Sequence, residues 1–576
     1  MCGIFSILNY NGDTTELENE FKKGVNRGPE FSTLQSYKMK SGNNLHFGFH
    51  RLAINGLDEI SNQPFKLGDI TLICNGEIYN YKQLALDNNI VTTSNSDCEI
   101  IAHLYRLYGI EYTCTLLDGV FAFVLYDAKT NDLYAARDPY GVRPLYYLDD
   151  KSNNTLAFAS ELKVLYNLTK DKSNIYNFIP GYYMTVSSNY DYDRYNFSRY
   201  CNAYNYFPTI CNPYYDNISS DIYSYISGAV RKRVIGTTER PIACLLSGGL
   251  DSSLVAALVA SFYPVDKKLQ TYSIGLPGSE DLKYAAIVAK HIKSDHHEIV
   301  VTEDEFFDAI PEVIKAIESY DTTTVRASVG NYLLGKYIKA NSDAKVIFNG
   351  DGADELMGGY LYFKNAPSSY EFDKECKRLL QDIYMFDVLR SDRSISSHGL
   401  EPRTPFLDRQ FVEFYLSIDK KMRFTTTINN CEKYLIRKSV DKCNQNLLPK
   451  EILWRTKEAF SDGVSSLNKS WFQIIQEKIQ NKFHSIENIS LKDELCKIMK
   501  DYDLFDISDN KPTTFEQAYY RHIYNTHYKG TDHLIEYFWM PRYVKASDSS
   551  ARTLELYNKN NSNNKDNESS NNLELE

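Results

Sequence analysis

The chain has 576 residues, too many for one hydrophobic core, so two large domains with appendages are expected. Hydrophobic residues make up 43%, as in an ordinary globular protein. A formal net charge of -11 argues against nucleic-acid binding, no apolar run approaches the roughly 18 residues that span a membrane, and the N-terminus lacks a signal-peptide pattern.

Methionine before a small residue is normally trimmed, which would make Cys2 the first residue of the mature chain. One residue then carries a thiol nucleophile and a free α-amine. That amine's ordinary pKa of about 7.7–8.0 suits it to act as general base for its own thiol. Taken alone the feature is weak, because chance also puts cysteine at position two. Short strands follow: Cys2–Leu8, Leu45–Ile54, Ile70–Cys74, Val120–Tyr126, Asp132–Ala136, Pro144–Leu148 and Thr155–Ala159. Asp127–Asp132 reads as a hairpin turn. Ser96-Asp97-Cys98-Glu99 reads as a capping box, with Ile100, Leu104 and Leu107 on one helical face behind it. Antiparallel strands with helices predict an α+β layered domain over 2–185.

Residues 186–215, dense in Tyr, Asn, Asp and Pro, read as a linker. Ile218, Ile222, Ile226 and Val230, four apart, predict a helix. The pattern then changes to short apolar runs (Ile242–Leu246, Leu269–Ile274, Lys345–Phe348) separated by helical stretches such as Leu254–Phe262. That alternation predicts an α/β domain with a parallel sheet over 216–545, mainly helical from 368 to 540. The Asn-rich tail 558–576 is expected to be disordered. Eleven scattered cysteines without a C-x-x-C pair predict reduced thiols, a cytoplasmic compartment and no zinc site. Cys74, Cys98 and Cys244 read as buried structural thiols.

Two loops carry chemistry. Ser247-Gly248-Gly249-Leu250-Asp251-Ser252 lies between an apolar strand and a helix, where backbone N–H groups and a helix N-terminus suit phosphate. It lacks the G-K-[ST] of a Walker loop. Asn349-Gly350-Asp351-Gly352-Ala353-Asp354-Glu355 also follows a short strand. In a parallel sheet both loops open at one edge, where Asp251 and Asp354 would hold one Mg²⁺ on a nucleotide.

Longer motifs carry a resemblance. Cys2-Gly3-Ile4-Phe5, Arg27-Gly28-Pro29, His50-Arg51-Leu52, Asn75-Gly76-Glu77-Ile78-Tyr79-Asn80 and Arg137-Asp138-Pro139-Tyr140-Gly141 resemble a class II glutamine amidotransferase domain. Leu246–Ser253 resembles the pyrophosphate loop of ATP pyrophosphatase synthetases. The domain order, with Ile274–Ser279, Tyr320–Thr323, Arg326–Ser328, Gly359–Phe363, Pro405–Asp408 and Trp454–Glu458, is similar to glutamine-hydrolysing asparagine synthetase.

The resemblance implies an Ntn-hydrolase-type first domain in which Cys2 hydrolyses glutamine through a thioester. Asn75 and the backbone of Gly76 would form the oxyanion hole. Glutamine would be bound by Arg51, Leu52, Ala53, Ile54 and Asn55, with Glu77 and Asp97 accepting from its α-ammonium. In the second domain ATP would adenylate aspartate and ammonia would attack β-aspartyl-AMP. ATP would meet Leu246, Ser247, Gly248, Gly249, Asp251, Ser252, Ile274, Asn349, Gly350 and Lys457, with Mg²⁺ on Asp251 and Asp354. The implied partners are glutamine, aspartate and ATP, with no nucleic acid or membrane, and a homodimer is left open.

Four segments depart from the family pattern: Glu30 for Asp, Asn349-Gly350-Asp351-Gly352 for Ser-Gly-Glu-Gly, Lys364-Asn365 for His-Lys, and Thr404 for Val. Asp351 matters most, because the glutamate usual there is implied in proton transfer during amide formation. The competing enzyme reading is an amide-forming synthetase of the same family acting on another carboxylate. A non-catalytic nucleotide sensor would have no reason to keep Cys2, Arg51, Asn75 and Asp251 together. Singly, each residue has a plainer reading: Asp97 as a helix cap, Arg51 as a surface ion pair, Lys457 as a solvated helix residue.

Overall fold

The computed structural model describes residues 1–187, 195–212, 217–424, 431–458, 460–466, 469–484, 493, 495–498, 510–546 and 548–554. The tail 558–576 lies outside them. Twelve strands occupy the described residues up to 199: β1 Gly3–Leu8, β2 Phe31–Lys38, β3 Asn44–Arg51, β4 Phe65–Leu67, β5 Ile70–Ile78, β6 Gly119–Asp127, β7 Asp132–Arg137, β8 Tyr146–Asp150, β9 Thr155–Ala159, β10 Ile175–Asn177, β11 Tyr182–Val186 and β12 Asn196–Arg199. They form two antiparallel sheets, ordered β10-β8-β9-β1-β3-β2 and β12-β11-β7-β6-β5-β4.

Alternation along the strands builds the sandwich. Ile4, Phe47 and Phe49 of one sheet meet Ile73, Val124 and Ala135 of the other in one buried cluster. The outer face of the second sheet (Leu72, Cys74, Phe121, Phe123) is covered by Ile100 and Leu104 of the helix Ile100–Leu116. The outer face of the first carries Phe5 and Ile7, and its cluster continues through Leu162 and Val164 to Val313 and Ile317 of the second half. The two halves therefore share a continuous apolar core.

The second half holds a parallel sheet ordered β15-β14-β13-β16-β17, with β13 Ile242–Leu245, β14 Gln270–Gly275, β15 Asp295–Val300, β16 Val346–Phe348 and β17 Glu401–Arg403. Strand order reverses between β13 and β16, so the loops after these neighbours open side by side. The helix Ile218–Ile235 buries Ile222, Ile226 and Val230 as its periodicity predicts.

Several expectations are corrected. Ser96 makes no capping hydrogen bond, and Glu99 instead accepts from the backbone and hydroxyls of Thr93 and Ser94. Leu107 is 51% exposed rather than on the buried face, and the helix kinks two residues later at Gly109, where φ is 77°. Asn196–Arg199, expected in the linker, is β12 and pairs with β11. β3 ends at Arg51, so Leu52–Ile54 is loop. Among the described residues no helix is long and apolar enough to cross a membrane. All eleven cysteines are free thiols, with Cys74, Cys98 and Cys244 buried.

Candidate active sites

β1 places Cys2 at its N-terminal end, packed against the sandwich core. Its Sγ lies 3.7 Å from the Leu52 carbonyl, and Arg27 Nε donates to its own carbonyl at 3.0 Å. Burial pushes the thiol up to about 11 and the Met1 amine down to about 6. The amine sits 3.7 Å from Glu401. Asn75 lies on β5, fully buried, and among the described residues neither atom of its amide has a partner. Such a group costs stability unless a ligand completes it.

Arg51 is turned inward. Its guanidinium donates to the Gly56 carbonyl, the Asp58 carbonyl at 2.9 Å and Asn62 Oδ1 at 2.7 Å. The surface-ion-pair reading therefore fails. Asn55 donates to Glu77 at 3.1 Å. Asp97 accepts from the Ile78 amide at 2.6 Å, and burial raises its carboxyl to about 6. Gly76 lies in β5 opposite Phe121.

The motif reading missed the reach of the second half into this site. Arg403 of β17, almost fully buried, contacts Glu77 at 2.9 Å and Glu401 at 2.6 Å. Arg27 forks onto Asp392 at 2.6 and 3.2 Å. Arg403–Glu77 and Arg27–Asp392 join residues hundreds of positions apart, so no local pattern announces them.

At the switch point of the parallel sheet, a cavity of about 150 Å³ is lined by Leu246, Ser247, Gly249, Asp251, Ser252 and Ile274 from one side. Asn349, Gly350, Asp351, Asp354 and Lys457 line it from the other. Gly248 is not among the lining residues. Its φ of 71° makes the turn, and a Cβ there would lie 2.5 Å from the Ala285 amide nitrogen. A Cβ on Gly350 would lie 2.8 Å from Asp251 and Ser252, so the two loops touch.

Three carboxylate oxygens converge on one cation. Lys433 Nζ lies 2.8 and 2.6 Å from the two oxygens of Asp251 and 2.7 Å from Asp354. Lys457 Nζ lies 2.6 Å from the other oxygen of Asp354. Burial would raise the Asp354 carboxyl, but the two lysines hold it well below the usual carboxylate range. Lys433 escaped the sequence reading because it heads the amphipathic helix Tyr434–Cys443 without a motif. Lys457 is no solvated helix residue. Its backbone is held by Glu432 at 2.8 Å, and Arg455 beside it reaches Asp281 at 3.3 Å. Asp351 places one oxygen 3.2 Å from Arg390, and its other oxygen is buried without a partner.

A thiol-bearing antiparallel sandwich fused to a parallel-sheet domain with a pocket between paired loops defines an amidotransferase joined to a synthetase. Within that class the chain belongs to the glutamine-hydrolysing asparagine synthetase family. The family described as "Asparagine synthase" matches residues 221–374 and 365–544, and "Glutamine amidotransferase domain" matches residues 1–198. The asparagine synthetase [glutamine-hydrolyzing] of Gallus gallus is 41% identical, over 97% of this chain and 99% of that one. Those of Bos taurus and Homo sapiens are 40% and 39% identical over the same shares.

Proposed function

We propose that the protein makes asparagine from aspartate, taking nitrogen from glutamine and cleaving ATP to AMP and pyrophosphate. The observation that carries this is the pairing, in one family member, of a thiol at the head of β1 and an orphaned buried amide on β5 with a carboxylate–lysine pocket at the sheet switch point. We assign the first activity to residues 2–185 and the second to residues 216–545, in the cytoplasm.

Removal of Met1 would give Cys2 its own amine as base; with Met1 in place burial raises the thiol, and the Met1 amine offsets only part of that. The thiolate attacks the glutamine carboxamide carbon. The oxyanion takes the empty amide of Asn75 and the Gly76 N–H. Ammonia leaves, and water cleaves the thioester to glutamate. Leu52–Asn55 shape the glutamine pocket. Arg51 would exchange a loop carbonyl for the substrate carboxylate, and Glu77 and Asp97 supply acceptors for its ammonium.

In the second pocket the aspartate side-chain carboxylate attacks the α-phosphorus and pyrophosphate departs. Ser247, Gly249 and Ser252 offer donors at the helix N-terminus, with Gly248 setting the turn. Leu246, Ile274, Asn349 and Gly350 form the remaining walls. Asp251 and Asp354 fit Mg²⁺, since their oxygens already converge on one cation; the other ligands would be phosphate oxygens and water. When bound, the ion neutralises phosphate charge during transfer. Lys433 and Lys457, which pair with these carboxylates, would contact the phosphates. The unpartnered oxygen of Asp351 takes a proton as ammonia adds to the adenylate, and AMP leaves.

Incubation with glutamine, aspartate and Mg-ATP should give AMP and pyrophosphate in step with asparagine. ADP in step with asparagine would rule out the adenylate.

A further inference from the structure

Beyond Arg51 the glutamine loop has no strand partner. Leu52, Ala53 and Ile54 are buried, so their backbone polar groups need partners. Those partners include groups from the other half of the molecule. The Ala53 carbonyl accepts from Arg240 Nε at 2.7 Å, and the Gly56 amide donates to Glu239 at 2.6 Å. The Ala53 amide donates to Glu30 at 2.7 Å, and Glu30 in turn pairs with Arg240 Nη2 at 2.9 Å. Leu52 and Ile54 are buried in the same apolar cluster as Ile242 and Leu246. Gly56 sits at φ 64°, where a side chain would strike Ser61.

We propose that Glu239 and Arg240 are positioning residues for glutamine: the synthetase half holds the glutamine loop in its binding shape. The proposal rests on the glutaminase reading given above. The Glu30–Arg240 ion pair is partly exposed and contributes little by itself. The weight lies on the backbone groups of Ala53 and Gly56. Arg240 serves two acceptors at once through its planar fork, which a lysine ammonium cannot reproduce. Glu30 spans Arg240 and the Ala53 amide with its two carboxylate oxygens. Glu239 and Arg240 lie just before β13, whose far end opens into Ser247–Ser252. One short strand thus joins the residues that grip the glutamine loop to those that meet the nucleotide.

The test is glutamate release against glutamine concentration for the full-length wild type, Arg240→Ala, Arg240→Lys and Glu239→Ala, with ammonia-dependent asparagine formation measured alongside. Losing one or two hydrogen bonds should raise KM for glutamine about tenfold in Arg240→Ala and a few-fold in Glu239→Ala. Because Cys2 and Asn75 are untouched, kcat should stay within about twofold. Arg240→Lys should recover only part of the loss, and ammonia-dependent synthesis should not change. Unchanged KM in both alanine variants, full recovery by lysine, or a parallel loss of ammonia-dependent synthesis overturns the proposal while Cys2-dependent glutamate release stands. If wild-type glutamate release does not depend on Cys2, the underlying reading fails and the proposal with it.

Discussion

Asp351 holds Arg390 with one oxygen and keeps the other for the pocket. Aspartate is one methylene shorter than the glutamate that the sequence resemblance implies here, and a misplacement of about 1 Å can cost on the order of 10²-fold in rate. Asp351→Ala should lose asparagine formation while glutamate release continues. Asp351→Glu should stay active. Asparagine and glutamate would be assayed together in all three proteins; wild-type asparagine formation by the alanine variant would show that another group takes the proton. Cys2, Asn75, Asp251 and Asp351 were singled out from local motifs and the resemblance those motifs carry, and their roles remain proposals. Lys433 was not: its role appears only when a residue 182 positions from Asp251 folds back onto it. Arg403 was missed for the same reason. Gly248 was legible as part of the loop, but its part is the turn.

The strand-loop-helix units at β13 and β16 could be read directly, since buried parallel strands are short apolar runs. β2 and β15 were missed because both are polar, half-exposed strands at sheet edges without clean alternation. The segment carrying Lys457 is anchored where Arg455 meets Asp281, in the first turn of the helix Glu280–Ile292, and stacks on Tyr284 at 4.0 Å. Burial raises the Asp281 carboxyl from 3.8 to about 7 despite Arg455. Below about pH 4 both folded and unfolded chains carry its proton, so the group adds no pH dependence. Between about 4 and 7 only the folded chain keeps the proton, and stability falls with pH by at most about 1.4 kcal/mol per unit; above 7 the loss is complete and constant. Asp281→Asn keeps an oxygen for Arg455 without this cost. Its stability relative to wild type should therefore rise from pH 4 to 7 and then level off in denaturant titrations. Parallel curves for the two proteins would mean that Asp281 ionises without penalty.

At the scale of the whole molecule, the two halves are joined by the apolar cluster running from Phe5 to Ile317 and by the buried pairs Arg27–Asp392 and Arg403–Glu77. The order of the halves was plain from the change in periodicity near residue 240, but this union was not, because periodicity reports which face is buried and not what covers it. The proposed division of labour is that nitrogen is released in the first half and the amide is formed in the second. The most direct measurement is asparagine formation by Cys2→Ala with glutamine and, separately, with ammonium as nitrogen source, under saturating aspartate and Mg-ATP. The account expects no asparagine from glutamine and near wild-type formation from ammonium. Equal loss with both sources, or continued synthesis from glutamine, would contradict it.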